Sequence, residues 1–139
     1  MTATANEIRG EVSIDLDGVA YVLRPSYEAG AAIEQATGRS LMELAVAADA
    51  SRMPLSQMSI VVTEYIKAWG RETGNTATEH FEAKRIGELI HDGAGGILAA
   101  MPRVALVLTR AVSGGCRLGE QMAAGTTTET TTTATPAAD

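Results

Sequence analysis

Two histidines, one cysteine and a spread of carboxylates are the side chains through which this sequence could do chemistry. On one helix, His80 and His91 would return to roughly the same face, but about three turns apart, too far to share a metal ion. No HExxH, CxxC or paired Cys/His spacing accompanies them. His91, with Glu88 and Asp92, reads as a polar cluster near a helix end, where the helix dipole alone accounts for a histidine. Cys116 would need a base and a cationic setting to act as a nucleophile. Its neighbours Ser113, Gly114 and Gly115 supply neither, so it reads as a free structural or surface thiol. Gly93-Ala94-Gly95-Gly96 looks like a phosphate loop only at first sight: no strand leads into it and no Lys-Ser/Thr pair follows. It reads as a helix–helix connection. Glu28, Glu34, Glu64, Glu79, Glu82 and Glu88 fall on helices, and nothing singles out two of them as an acid–base pair. Tyr65 and Trp69 share a helical face, where the default is core packing and the alternative is an exposed anchor for a partner. The expectation from these residues is no enzyme, no cofactor and no metal.

The elements that would position them come next. The chain has 139 residues, enough for one domain with a real core. Its hydrophobic fraction is 45% but its aromatic fraction only 4%, so the core must come from Ala, Val, Ile, Leu and Met, a helix-favouring set. Net charge is −6, which argues against a nucleic-acid partner. The charge is uneven: no acid lies between Asp92 and Glu120, whereas Arg103, Arg110 and Arg117 do. That basic, apolar stretch suits an acidic partner surface or the acidic half of a second copy; its plainer reading is a solvated helix face. One cysteine excludes an internal disulfide and fits a reducing cytoplasm. Met1 to Arg9 lacks the apolar core of a signal peptide. Ile97 to Leu108, interrupted by Pro102 and Arg103, is too short to span a bilayer. No membrane is expected.

Asp17-Gly18 is a favoured two-residue turn. It pairs Leu16 with Val19, Ile14 with Tyr21 and Val12 with Leu23, six apolar residues on one face. A hairpin over residues 10–24 follows, laid on helices because a lone hairpin is marginal. Pro25 ends the second strand, and Ser26 caps a helix over Tyr27 to Thr37, closed by Gly38. Ser40 with Glu43 forms a capping box for a second helix to about Ala48. Met58, Val61, Val62, Tyr65 and Ile66 mark a third helix, about Leu55 to Glu72. A fourth is expected over about Ala77 to His91, with Ile86, Leu89 and Ile90 on one side. A fifth spans about Gly96 to Val112, where Pro102 either kinks the interior or, in a helix starting near Met101, occupies the first turn. Gly125 to Asp139 holds eight threonines and almost no apolar bulk. The chain therefore reads as mainly α (α+β): a flexible segment 1–9, one domain over 10–113 with a hairpin and a bundle of about five helices, and a disordered Thr-rich tail over 114–139.

Asn6, Arg9-Gly10-Glu11-Val12, Leu16-Asp17-Gly18, Tyr21-Val22-Leu23-Arg24-Pro25 and Ile33-Glu34-Gln35-Ala36-Thr37-Gly38-Arg39-Ser40-Leu41 follow one another in an order that resembles the gene transfer agent family proteins of phage-like tail clusters. Met58 to Trp69 and Glu88 to Met101 are similar to the helical body of that family. The resemblance covers roughly residues 6–112. The junction Asn75 to Ala83 and the Thr-rich tail depart from the short family form. The resemblance implies a role in building a non-contractile tail and supplies no catalytic residues.

The expected function is a tail assembly chaperone that binds the tape-measure protein during tail morphogenesis. The alternative is a structural tail tube or connector subunit of a gene transfer agent or prophage particle. A tube subunit would need extended sheets, whereas one hairpin followed by helices favours the chaperone. Expected partners are tape-measure or other tail proteins, with self-association possible, in the bacterial cytoplasm or on the particle. The surface expected to meet them is the fifth helix, through Met101, Arg103, Val104, Leu108 and Arg110, with core packing as the alternative use of its apolar side.

Overall fold

The hairpin forms where the turn chemistry places it. In the computed structural model, which describes residues 4–6 and 9–114, β1 (Val12–Leu16) pairs antiparallel with β2 (Val19–Leu23). The register sets Val12 opposite Leu23, Ile14 opposite Tyr21 and Leu16 opposite Val19. Asp17 and Gly18 both have positive φ, +55° and +79°, as a primed turn requires. Val12, Ile14, Leu16 and Leu23 enter the core, while Val19 beside the turn stays exposed. Val22, on the opposite face, is nevertheless fully buried. Both faces of β2 are covered at this end, where the Arg24 N–H donates to the Tyr65 carbonyl at 3.1 Å and pins the exit of the hairpin to a helix.

Five helices follow. α1 (Tyr27–Thr37) starts at Ser26, whose hydroxyl accepts from the Ala29 N–H, and stops at Gly38 in the left-handed region. α2 (Leu41–Asp49) opens with the complete Ser40/Glu43 capping box. α3 (Leu55–Thr73) is the axis of the body and packs on α1, α4, α5 and β2. Met58, Val61, Val62, Tyr65 and Ile66 are fully buried along it, and Trp69 is half-buried.

The fourth helix is shorter than its sequence pattern suggested. Residues 76–80 form a 3-10 turn capped by the Asn75 side chain, residues 81 and 82 are extended, and α4 runs only over Ala83–Asp92. Phe81 is the reason. Its ring meets the Tyr21 ring edge-on at 5.6 Å, and a continuous helix would carry it elsewhere. α5 (Gly96–Val112) packs on α2, on α4 and on β1. Of the two readings left open for Pro102, the interior one holds.

The segment before the hairpin is not loose throughout. Asn6 and Arg9, expected within a flexible stretch, are tied to the body: the Asn6 N–H donates to Glu11 Oε1 at 2.9 Å, and Arg9 pairs with Glu72 at 3.2 Å. The tail over 115–139, including Cys116 and Arg117, lies outside the described residues.

Candidate partner-binding surface

The residues able to do chemistry do not converge. His91 Nδ1 lies 2.8 Å from Asp92 Oδ1 in an exposed contact at the end of α4. His80 sits in the 3-10 turn at the edge of a hollow between the hairpin and α4. Among the described residues no three His, Cys, Asp or Glu side chains gather where they could hold a metal ion. The helical carboxylates are spread over several elements and partly engaged locally: Glu28 with Arg71 at 3.1 Å, Glu88 with Arg85 at 3.5 Å, and Glu34 with the Leu41 N–H at 3.0 Å. Gly95 and Gly96 turn the chain from α4 into α5 with φ of +84° and +55°. They make a connection between helices, as their context in the sequence indicated. Glu43 is held below the ordinary glutamate range. The Ser40 backbone N–H bonded to its carboxylate is the main cause; desolvation opposes it, and the Ser40 hydroxyl and the Arg39 charge add smaller lowering contributions.

α5 divides the residues expected on a partner surface. Val104 and Leu108 are fully buried in the core, and Met101, also in the core, reaches the surface only in the floor of a groove. Arg103 is exposed. Arg110 is half-buried and donates to the Glu11 carbonyl at 2.8 Å. The correction has a simple origin. From Ile97 to Leu108 the helix is apolar almost all round, so spacing alone cannot say which of two apolar stripes turns inward. Met101, Val104 and Leu108 are on the inner one. The outer one is Leu98, Pro102, Ala105, Leu106 and Thr109, recurring at helical spacing.

α2 also leaves large apolar side chains exposed. Of the large apolar side chains left exposed among the described residues, Leu98 at 86%, Val46 at 66% and Met42 at 61% stand on these two helices, with Leu106 and Val112 beside them. Tyr27 and Val19 are the exceptions elsewhere. An open groove of about 510 Å³ runs between α2 and α5, floored by Ala48, Met101 and Ala105 and walled by Leu98, Pro102 and Leu106. A second hollow, about 650 Å³, lies on the outer side of α2 between Met42, Val46, Arg39 and Arg52. Periodicity marks α2 as amphipathic but does not reveal that its C-terminal end, Ala48 and Asp49, shares a groove with the outer stripe of α5. That juxtaposition comes from the packing of α2 on α5.

No helix among the described residues is long and apolar enough to cross a membrane. No protein-family model matches the chain, and no curated protein or solved structure is significantly similar to it.

Proposed function

We propose that this chain is a non-enzymatic, protein-binding tail assembly chaperone that shields apolar helical stripes of a tape-measure protein before the tail tube forms around it. The observation that carries the reading is that α2 and α5 hold most of the large apolar side chains left exposed among the described residues, with an open groove between the two helices. A groove bounded by two helices is the form in which an amphipathic helix is received. Its lining of Ala, Leu, Pro and Met is smooth and lacks aromatic anchors. Burial of each exposed leucine would contribute about 1.5–3 kcal/mol. A few such contacts give binding that can be reversed when the tube displaces the chaperone, and Met42 adds a side chain that adapts to varied sequence. The likeness of residues 6–112 to gene transfer agent family proteins supplies the tail-assembly context and the class of client.

The test is co-expression with the tape-measure protein of the same gene cluster, followed by solubility measurement and pull-down. The tape-measure protein is expected to stay soluble and to co-purify. Leu98→Asp and Val46→Asp alter exposed positions, so they should leave the melting temperature unchanged and abolish co-purification. A tape-measure protein equally soluble without this chain, and never bound to it, overturns the reading. The alternative, a tail tube or connector subunit, makes the opposite prediction for purified particles. A chaperone is absent from them by mass spectrometry, whereas a structural subunit is abundant.

A further inference from the structure

We infer that Asp17 is a site of spontaneous covalent modification: in the folded chain its carboxyl closes on the Gly18 nitrogen to form a succinimide, which opens to isoaspartate. The inference is independent of what α2 and α5 bind. The sequence holds two Asp-Gly steps, Asp17-Gly18 and Asp92-Gly93. A glycine after aspartate leaves the attacking nitrogen unshielded and its own backbone free to turn, so both steps qualify by residue type. The fold separates them.

The atoms balance without a further reactant. The Gly18 nitrogen forms a bond to Asp17 Cγ and the Cγ–OH bond breaks. The hydroxyl and the amide proton leave as one water, and nothing is oxidised or reduced. Water then adds to one of the two ring carbonyls. Addition at Cγ restores aspartate. Addition at the main-chain carbonyl leaves a backbone that runs through Cβ and Cγ, one carbon longer than before. The longer turn no longer sets Leu16 opposite Val19, so the product loses the chemistry that fixes the register of the hairpin.

The geometry favours Asp17. In a five-membered ring the Cβ–Cα–C–N torsion falls near zero. For an L-residue this places ψ at about −120°, the value at the first central position of a type II′ turn, where φ is about +60°. Asp17 already has φ +55°. Only the peptide plane between Asp17 and Gly18 has to turn over, which takes the hairpin from a type I′ to a type II′ turn, the two favoured two-residue connections. No hydrogen bond resists the flip: among the described residues neither the Asp17 carbonyl nor the Gly18 N–H has a partner. Gly18 must exchange φ +79° for about −80°, a change of sign that glycine makes at little cost. Both residues are exposed, and a Cβ placed on Gly18 would meet nothing within 4 Å. Arg85 and Arg103 line the hollows beside Asp17, yet its carboxyl forms no hydrogen bond or ion pair among the described residues. Asp92 differs on each count that matters. It is the last residue of α4, where φ is negative and a ψ near −120° is sterically excluded. Its carboxylate lies 2.8 Å from His91 Nδ1. Cyclisation there requires the end of the helix to open first.

The experiment uses the full chain, kept warm at neutral pH for several weeks, natively and in urea, and sampled by peptide mapping. A succinimide reads as the loss of one water from the peptide that contains residue 17. Isoaspartate reads as an unchanged mass with a shifted retention time and as methylation by an isoaspartyl methyltransferase. In the native chain it is expected to accumulate at residue 17 about two- to tenfold faster than at residue 92, the factor for breaking one helix hydrogen bond. In urea the two rates should converge. Asp17→Glu, whose longer side chain misses the five-membered closure, should abolish the signal at residue 17 and leave that at residue 92. The isoaspartate fraction, separated by chromatography, should melt lower than the parent. A native chain in which Asp17 stays intact while the chain in urea isomerises there means that the turn protects the step, and overturns the inference. Equal native rates at the two Asp-Gly steps overturn it as well, because the turn then contributes nothing.

Discussion

At the scale of single residues, two positions show what can and cannot be seen from spacing. Ser40 and Glu43, three apart ahead of an apolar run, announce a capping box, and both of its bonds form. The carboxylate of Glu43 is used in its ionised form, and its pKa is lowered. The sign follows from linkage. A group whose folded-state pKa is depressed stabilises above its unfolded pKa and loses that contribution as pH falls through the lowered value. The Glu43 carboxyl should therefore titrate by NMR below its midpoint in the unfolded chain, and the start of α2 should loosen only on acidification through that window. Ser40→Ala removes only the hydroxyl's contribution and keeps the backbone N–H, so it should move the midpoint up only in part. Gly70 is the opposite case. Inside α3 it looks like a defect, since alanine favours helix by about 1 kcal/mol. Yet a methyl group there would overlap Thr78 Oγ1 and come within 2.9 Å of the Asn75 carbonyl oxygen. The steric term wins, because part of the obstruction is backbone. Gly70→Ala should lower stability by about 1–3 kcal/mol, seen as a lower melting temperature, and Thr78→Ala in the same chain should recover part of it. Nothing in the local sequence reveals this contact, because it depends on the path of the chain after α3.

At the scale of elements, the legible parts are those decided within a few residues. The hairpin turn, the Ser26 cap and the Gly38 stop are local chemistry, and each formed where the sequence indicated. Gly18 tests the turn directly. A side chain there would meet no neighbour within 4 Å, so the cost of Gly18→Val is the backbone cost of φ +79° alone, about 1–2 kcal/mol. An unchanged denaturation midpoint would remove the primed turn as the reason for the register. The break at residues 81 and 82 was not legible, because the Phe81–Tyr21 contact that causes it joins distant parts of the chain. The exposed apolar face of α5 was half legible. The composition of α5 pointed to that helix, but its inner and outer apolar stripes are alike in residue type. Pro102 marks the outer one. It sits exposed in the helix interior and cannot donate to the Leu98 carbonyl. Pro102→Ala restores that bond and should raise stability by about 1–3 kcal/mol, measured as a higher melting temperature. A fall would mean that the body packs against a bend the proline sets.

At the scale of the whole molecule, one polar network joins parts that the sequence keeps far apart. Glu11, almost fully buried, accepts from Arg24 at 3.2 Å and from the Asn6 N–H at 2.9 Å, while its own carbonyl accepts from Arg110 at 2.8 Å. Arg24 reaches on to Glu72 at 3.7 Å, and Glu72 to Arg9 at 3.2 Å. The segment before the hairpin, β2, the end of α3 and the end of α5 are thereby held at one corner. Charge pairing across such separations leaves no local trace, which is why this corner read as a flexible segment. It also fixes the end of α5. Burial decides which member matters. The Arg9–Glu72 pair is exposed on both sides, so Arg9→Ala should cost less than about 1 kcal/mol. Arg24→Ala instead strands the Glu11 carboxylate in the interior and should cost about 2–4 kcal/mol. The two variants distinguish a network that fastens the fold from one that only decorates it. If Arg24→Ala melts no lower than Arg9→Ala, the corner is decoration. If the expected gap appears, adding Glu11→Gln to Arg24→Ala should narrow it, because the stranded charge and not the missing arginine is the larger part of the loss.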